Sequence, residues 1–419
     1  MSHDKRLKNL RRAIKCPHCW EIFPPEDIRW VSVHSDLLGD PRLGDEANRR
    51  FTPTRFNVTG NALDANGSAC SELACPDCHL SIARPLLEMQ PWIASIAGTP
   101  ACGKSFFLTA MINRLRDICP EFAVSFVDAD STANRLICDY EERLFYSETP
   151  DAMTFIDKTD TPGLSESYDQ VRYGAETKTH PRPFLFTMQL TNQHPNYQMS
   201  RKVSRVLCLY DNSGESFRPG TDDAQSPVTR HLAHSRVLFF CFDPTQDPSW
   251  REACKEHSQD VQIQKGTVTA RQEIVFNEMI ERIRKHTGLS QDQQHSNPLV
   301  IIVTKFDAWG QLMTKGRLPN PWQKVGNSAS GLNLAQVKVV SDKLRSLLKE
   351  KSPSFVHTAE RFADKVLYVP VSATGTSPDS ELGGFYPKDI TPMWCEVPML
   401  ASLARWGGGI IPYIKETAS

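Results

Sequence analysis

The chain lacks any marked excess of charge, any long apolar run and any low-complexity tract, and each absence narrows the class of protein. Its 48 basic and 49 acidic residues give a formal net charge of −1, so nothing draws the whole chain to nucleic acid or anionic lipid. The basic start is not followed by the apolar segment of a signal peptide, and no stretch has the length of a transmembrane helix. These absences predict a soluble, cytoplasmic protein without a membrane partner.

Twelve cysteines stand out in a composition that is otherwise ordinary for a globular protein of 419 residues. A chain of this length with 40% apolar residues can bury a sizeable core, and the length suggests two or three domains. Most of the cysteines lie singly in apolar stretches, where a thiol acts as a small hydrophobic side chain. Four of them form two pairs with a spacing that is typical of metal sites.

The two pairs are "CPHC", with Cys16 and Cys19, and "CPDC", with Cys75 and Cys78. Two residues between the thiols let a tight turn aim both sulfurs at one metal, so two such turns predict a tetrahedral zinc site. The gap of 55 residues between the pairs is longer than in a simple zinc ribbon and has to hold an inserted excursion. Two unrelated turns or a redox pair are the alternatives. Three nearby residues are expected to be bystanders: His18, Cys70 and His79.

The segment "GTPACGKS", residues 98–105, lies between a predicted buried strand and an amphipathic helix. In such a loop the backbone N–H groups wrap phosphates, Lys104 reaches the β and γ oxygens, and Ser105 binds Mg²⁺. A glycine-rich turn without a ligand is the alternative. The residues predicted to bind the phosphates are Gly98, Ala101, Cys102, Gly103, Lys104, Ser105 and Phe106.

Two segments fit the pattern D-x-x-G, at residues 160–163 and 211–214. The apolar run "VSRVLCLYD" ends in Asp211, whereas polar residues interrupt the sequence before Asp160. Because ligands collect at the carboxyl edge of an open α/β sheet, Asp211 is predicted to help hold Mg²⁺ and Gly214 to bind the nucleotide. The preceding segment, "RPFLFTMQLTN", predicts an antiparallel edge strand that pairs with the Asp211 strand.

Base recognition is predicted further along the chain. Another apolar run, which predicts a buried strand, is followed directly by "TKFD", residues 304–307. The Asp307 carboxylate can accept from N1–H and from the amino group of guanine, while the stem of Lys305 packs along the base. A later strand ends in "SATG", residues 372–375, which suits a loop that presents a backbone N–H to guanine O6. The residues predicted to bind the base are Thr304, Lys305, Asp307, Ser372 and Ala373.

These motifs, in this order, resemble those of TRAFAC-class, Ras-like P-loop GTPases over residues 91–414. With the leading cysteine pairs and the tail "PMWCEVPMLASLARWGGGIIP", the layout is similar to the bacterial double-GTPase families of conflict systems. The resemblance implies an α/β fold, a P-loop NTPase three-layer sandwich with a mostly parallel sheet. It would occupy residues 91–419 and follow a small zinc-ribbon domain at residues 1–90.

The resemblance also assigns the remaining catalytic roles. Thr161 is the candidate that would bind Mg²⁺ only in the GTP state, with Thr159 as its rival and Thr177 and Thr179 still open. A plain Pro-Gly turn at this place is equally compatible with the sequence. Glu215 stands where Ras-like enzymes orient the attacking water with glutamine. A glutamate cannot donate to the phosphoryl group, so turnover with Lys104, Thr161 and Glu215 is expected to be slow.

The resemblance therefore implies a GTP-binding molecular switch with slow hydrolysis to GDP and phosphate, in a bacterial conflict or defence signalling system. The expected cofactors are Mg²⁺ and Zn²⁺, and the expected partners are GTP or GDP and a protein effector, a second GTPase being one candidate. The alternative is a non-hydrolysing scaffold whose ribbon binds a protein or nucleic acid, although no basic and aromatic alternation supports nucleic acid. Zinc loss is expected to loosen residues 1–90 and leave nucleotide binding intact.

Overall fold

The computed structural model describes residues 10–156, 167–211, 217, 229–258, 260–265, 271–325 and 329–414. The strands that precede the segment "GTPACGKS" in the described residues are β1 (Ile14–Lys15), β2 (Ile22–Phe23), β3 (Arg29–Val31), β4 (Leu38–Asp40), β5 (Gly44–Asn48), β6 (Arg50–Phe51), β7 (Ala62–Leu63), β8 (Ala69–Cys70), β9 (Leu73–Ala74) and β10 (Gln90–Gly98). Those after it are β11 (Val124–Asp128), β12 (Tyr168–Tyr173), β13 (Glu176–Pro181), β14 (Phe184–Leu190), β15 (Arg205–Asp211), β16 (Val237–Phe242), β17 (Leu299–Val303), β18 (Trp322–Val325), β19 (Ala329–Leu332) and β20 (Val366–Pro370).

The α-helices follow the same chain order and include several of a single turn. They are α1 (Lys104–Ile118), α2 (Arg135–Phe145), α3 (Ser200–Val203), α4 (His231–His234), α5 (Pro248–Cys254), α6 (Val261–Lys265), α7 (Gln272–Thr287), α8 (Phe306–Trp309), α9 (Leu334–Lys351), α10 (Pro353–Phe362) and α11 (Val397–Trp406). Within the described part of the chain, no helix combines the length and the apolar character that a bilayer crossing requires.

A seven-stranded sheet with the order β11-β14-β15-β10-β16-β17-β20 forms the centre of the molecule. From β15 to β20 all neighbours run parallel, whereas β14 is antiparallel to both β15 and β11. The carboxyl ends of the parallel strands therefore meet at one edge of the sheet. The predicted mixed α/β architecture with a mostly parallel sheet is confirmed.

Apolar runs explain why the middle strands lie in the centre. Every residue of β16 (VLFFCF) and β17 (LVIIV) is buried, as expected for parallel strands that are covered on both faces. Their side chains share one hydrophobic cluster with apolar residues of helices α1, α7, α9, α10 and α11.

One strand lies in a different place from that predicted. Strand β14 does pair with β15, but it is not an edge strand, because β11 covers its other side. Phe126 of β11 stacks on Phe186 of β14 with ring centroids 4.9 Å apart, so β14 buries nearly all its side chains. The covering strand β11 and the helix α2 both belong to the segment between α1 and the β12–β13 hairpin.

The region before β10 consists of short antiparallel strands: β1 with β2, β4 with β5, β7 with β8, and β3 between β6 and β9. Its hydrophobic cluster includes side chains of the central sheet, among them Ile93 of β10 and Tyr210 of β15. The cysteine pairs therefore lie in a region that packs directly on the large sheet, and the domain boundary at residue 90 stays a prediction.

Candidate functional site

The four paired cysteines come together in a closed, buried group. All four sulfur atoms lie within 4.8 Å of one another. The sulfur atoms of Cys16 and Cys78 are 3.8 Å apart, and those of Cys19 and Cys75 are 3.7 Å apart. A tetrahedral zinc ion with Zn–S bonds of about 2.3 Å separates its ligands by about 3.8 Å. The group therefore fits a metal such as zinc.

The two turns that carry these cysteines have matching backbones. In each, the first cysteine donates its N–H to the carbonyl oxygen five residues ahead, at 2.9 Å for both Cys16 and Cys75. The residue after each second cysteine is left-handed, with φ of 62° at Trp20 and 64° at His79. Such paired turns are typical of zinc knuckles, and we call residues 16–21 the first knuckle and residues 75–80 the second knuckle.

The three predicted bystanders have other partners. The Cys70 thiol points to the Asp64 carboxylate, 3.9 Å away. The His18 ring donates from Nε2 to the carbonyl oxygen of Ser81 at 3.0 Å, and His79 Nδ1 lies 2.9 Å from the Asp40 carboxylate. Within the described residues, the group that could hold a metal ion consists of the four paired cysteines.

The segment at residues 98–105, which we call the glycine loop, joins β10 to α1. A Cβ atom on Gly98 would lie 2.8 Å from the carbonyl oxygen of Cys241 on β16, so the close approach of strands β10 and β16 at this point requires glycine. Gly103 caps α1 with a left-handed φ of 87°, and Ala101 also has a positive φ of 58°. These conformations form a tight loop at the start of α1. The N–H groups at the start of a helix have no acceptor within the helix, so they favour an anion.

Lys104 is buried and folds back over this loop. Its Nζ donates to the carbonyl oxygens of Gly98 at 3.0 Å and Thr99 at 2.9 Å. Burial raises the pKa of the adjacent Cys102 thiol, but a hydrogen bond with Cys241 and the Lys104 ammonium outweigh burial and lower that pKa to about 7. The Lys104 cation therefore lies at the loop, as its predicted role requires.

Ser105 and Asp211, two of the three residues predicted to hold Mg²⁺, are brought together. Asp211 ends β15 opposite Ile96 of β10, just before the glycine loop. The Ser105 hydroxyl donates to Asp211 Oδ2 at 3.4 Å, which joins the start of α1 to the neighbouring strand. A hydroxyl and a carboxylate are oxygen ligands of the kind that Mg²⁺ prefers.

Thr304 and Lys305 connect the predicted base site to the glycine loop and to β16. The Thr304 hydroxyl donates to the carbonyl oxygen of Cys102 at 2.9 Å. The Lys305 ammonium pairs with Asp243 at 2.8 Å, and this carboxylate also accepts from the N–H of Thr245. Burial lowers the pKa of Lys305, but the carboxylates of Asp243 and Asp260 together with other raising contacts outweigh burial, and the net shift of the pKa is upward.

Asp243 caps the short turn that follows β16, and its ion pair with Lys305 is a contact that the sequence reasoning missed. The signal was available in principle, because β16 and β17 are adjacent parallel strands and the two residues follow their carboxyl ends. The ion pair fixes the lysine stem that is predicted to lie along the base.

The "TKFD" and "SATG" segments also meet. The Ser372 hydroxyl donates to Asp307 Oδ1 and accepts from the N–H of Gly375, the latter at 2.8 Å. Burial raises the pKa of the Asp307 carboxyl. A Cβ atom on Gly375, whose φ is 73°, would lie 2.3 Å from the carbonyl oxygen of Thr391, so this turn requires glycine. Ala373 is part of the same turn.

The remaining predicted residues divide into two groups. Thr161, Gly214 and Glu215 lie outside the described residues, as does Thr159. Thr177 and Thr179 lie on β13 in a hairpin with β12. Phe106 follows the glycine loop on α1, with its ring centroid 5.2 Å from that of Phe385.

A cleft beside Ser105 and Asp211 contains an arginine that sequence reasoning missed. Arg182 and Phe184 line both the small cavity at Ser105 and Asp211 and the adjoining cleft of about 190 Å³. The Arg182 guanidinium pairs with Asp169 at 2.6 Å. Its place two residues before β14 was the available signal, since the Asp211 strand is the neighbour of β14.

No protein-family model matches the chain. A segment of 257 residues is 24% identical to SaeC of Mycolicibacterium smegmatis, a protein described as an ESX-1 scaffolding and assembly protein. The match covers 57% of this chain and 59% of that protein, so the chain spans less than two thirds of the relative's length. This similarity is too distant and too partial to show a family.

Proposed function

We propose that the chain is a magnesium-dependent GTP-binding switch that slowly hydrolyses GTP to GDP and phosphate. The observation that carries the proposal is the contact between the Ser105 hydroxyl and the Asp211 carboxylate at the end of the glycine loop. It brings a curled loop, a buried lysine and two oxygen ligands together at the carboxyl edge of a parallel sheet. Ligands collect at this edge in open α/β sheets.

In this proposal each group has a defined role. The N–H groups of the glycine loop and the Lys104 ammonium bind the β- and γ-phosphates, and Ser105 binds Mg²⁺ with Asp211 in support. Bound Mg²⁺ would neutralise the charge that builds up on the phosphoryl oxygens. Thr161, Gly214 and Glu215 keep their predicted roles in sensing the γ-phosphate and orienting water.

The proposal that the base is guanine rests on Asp307 and its supports. The Ser372 hydroxyl holds one oxygen of the carboxylate, and the link from Thr304 to Cys102 joins this loop to the glycine loop. An Asp carboxylate can accept two hydrogen bonds from guanine, whereas adenine offers no such donor pair. Guanine is therefore the base that these residues suit best.

A scaffold is the second candidate function, and the similarity to SaeC favours it. That relative is described as a scaffolding and assembly protein, so a protein partner is proposed for this chain as well. The two functions are compatible if the bound nucleotide controls the partner. They differ if the nucleotide only stabilises the fold, in which case GTP would bind without being hydrolysed. The conflict or defence setting rests on the resemblance alone.

The test is to titrate the full-length protein with fluorescent GTP and ATP analogues in Mg²⁺ and then to measure phosphate release. We expect GTP to bind more tightly than ATP and phosphate to appear slowly. Lys104→Ala should abolish both signals, and Lys338→Ala, at an exposed pair with Asp342, is the matched control. Binding without phosphate release would favour the scaffold, and no binding of either nucleotide would refute both nucleotide-dependent accounts.

A further inference from the structure

The first knuckle contacts the strand that carries the proposed magnesium residue. Tyr210 immediately precedes Asp211 on β15, and its side chain is fully buried. The Tyr210 hydroxyl donates to the carbonyl oxygen of Pro17, which lies between Cys16 and Cys19. The buried Tyr210 side chain therefore links the first knuckle directly to β15, at the position next to Asp211.

Two ring contacts hold Tyr210 in place. Its ring stacks on His231 of α4 at a centroid distance of 4.7 Å and an interplanar angle of 6°. The ring of Trp20, the left-handed residue of the first knuckle, lies 6.3 Å away on a tilted plane. Such buried aromatic contacts set the position of a ring as well as stabilising it.

The same cluster extends to the strand before the glycine loop. Nδ1 of His231 is hydrogen-bonded to the Ser95 hydroxyl of β10 at 2.5 Å. Trp20 also stacks on His234 of α4, with ring centroids 5.5 Å apart. The first knuckle, β15, α4 and β10 thus form one buried unit, and Ser105 and Asp211 lie at its end.

A second contact reaches the β12–β13 hairpin. His180 of β13 donates from Nδ1 to the carbonyl oxygen of His18 at 3.2 Å, in the first knuckle. The Tyr173 hydroxyl of β12 donates to Asp77 Oδ2 at 3.2 Å, in the second knuckle. Both knuckles are therefore anchored to the hairpin that comes just before β14 in the chain.

We infer that Tyr210 is a positioning residue through which the metal-bound knuckle sets the place of Asp211, so that zinc and GTP bind cooperatively. The inference rests on the proposed function. Without metal the first knuckle loses the bonds that fix Pro17, and the Tyr210 hydroxyl would be left in a buried place without its acceptor. Because a buried hydroxyl without a partner is unfavourable, the end of β15 would shift and the Asp211 carboxylate with it.

Cooperativity of this kind has to act in both directions. If zinc raises the affinity for GTP by a given factor, GTP raises the affinity for zinc by the same factor. This reverses the expectation, drawn from the sequence, that zinc loss leaves nucleotide binding intact. It also gives the inference a readout that does not depend on hydrolysis.

The test is an equilibrium competition for zinc between the full-length protein and a chromogenic zinc chelator. It is run in Mg²⁺ with a non-hydrolysable GTP analogue or with the matching ATP analogue, whose triphosphate chelates zinc equally well. We expect the GTP analogue to raise zinc affinity about tenfold over the ATP analogue. Tyr210→Phe, which keeps the ring and all four cysteines, should reduce this factor to less than about twofold.

The matched control is Tyr368→Phe, because Tyr368 is a buried tyrosine of β20 whose hydroxyl donates to Glu360 at 3.1 Å. It should keep the full factor. If Tyr210→Phe does not fold, the wild-type protein still decides the matter, since its affinity for the GTP analogue should fall by the same factor when zinc is stripped. Fluorescent nucleotide binding separates the outcomes. Equal zinc affinity in both analogues, with the GTP analogue bound, overturns this inference alone, whereas no binding overturns the proposed function and the inference together.

Discussion

The cysteine group and the proposed nucleotide site differ in how they are closed. The four cysteines are buried, and their sulfur atoms all lie within 4.8 Å of one another. The nucleotide site instead gathers polar side chains at an open sheet edge, where Ser105, Asp211 and Asp307 bond to one another or to nearby residues. A closed site stabilises one arrangement of its residues, whereas an open site can change when a ligand binds. We therefore regard the cysteine group as a rigid part of the structure, against which residues of the nucleotide site are positioned.

The largest effect is expected from breaking the closed site. Cys78→Ser should lose zinc and unfold the region before β10, because the binding energy of a structural zinc, about 10–16 kcal/mol in zinc-finger peptides, is also folding energy. Zinc content by mass spectrometry and limited proteolysis of residues 10–90 measure the change. Cys70→Ser is the matched control, since Cys70 is buried in the same region but outside the group.

The control also shows how this prediction could fail. A full complement of zinc in Cys78→Ser would mean that the ligand set is wrong. An equal loss of zinc in Cys70→Ser would make Cys70 a ligand.

The next largest effect is expected on GTP binding when the proposed magnesium residue is changed. Asp211→Ala should weaken magnesium-dependent GTP binding by about 10- to 100-fold, as is typical when a group that supports a metal is removed. Asp160→Ala, at the other D-x-x-G segment, should change little. Titration of a fluorescent GTP analogue over a range of Mg²⁺ concentrations measures both variants. If Asp160→Ala weakens magnesium-dependent GTP binding and Asp211→Ala does not, the residues that support Mg²⁺ are those of the segment 160–163.

A smaller effect is expected at the base. Asp307→Asn should lower GTP affinity about tenfold and shift preference toward xanthosine triphosphate, because the amide replaces an acceptor with a donor and one charge-assisted bond is lost. Competition between the two nucleotides measures the preference. Asp342→Asn, at an exposed position on α9, should leave it unchanged. Unaltered preference in Asp307→Asn would show that another residue reads the base.

The smallest effect concerns the support between the two loops. Thr304→Val keeps the shape of the side chain but removes the hydroxyl that donates to Cys102. We expect a loss of about 1 kcal/mol in unfolding free energy and a GTP affinity about fivefold weaker. Thr187→Val on β14, where the hydroxyl makes a long bond of 3.4 Å to Val127, is the control for denaturation and binding. Equal affinities in the two variants would remove Thr304 from the account.

Much of the fold could be predicted, because buried parallel strands are continuous apolar runs and the loops follow recognisable turn residues. The position of β14 could not, because the pairing that removes it from the edge comes from β11, which is distant in sequence. Ser105 and Asp211 could be predicted to meet because each follows or ends a strand at the same edge. The bond from Tyr210 to Pro17 could not, because it joins residues 193 apart through packing between the two regions.

The most direct measurement of the central claim is electron paramagnetic resonance of Mn²⁺ added in place of Mg²⁺ to the zinc-loaded protein. The account predicts that a stoichiometric amount of Mn²⁺ binds when GTP is present and that little Mn²⁺ binds when ATP replaces GTP. In Asp211→Ala, the signal of protein-bound Mn²⁺ should be lost. Mn²⁺ bound equally with and without GTP, or a signal that Asp211→Ala leaves unchanged, would contradict a nucleotide-dependent metal site at Ser105 and Asp211.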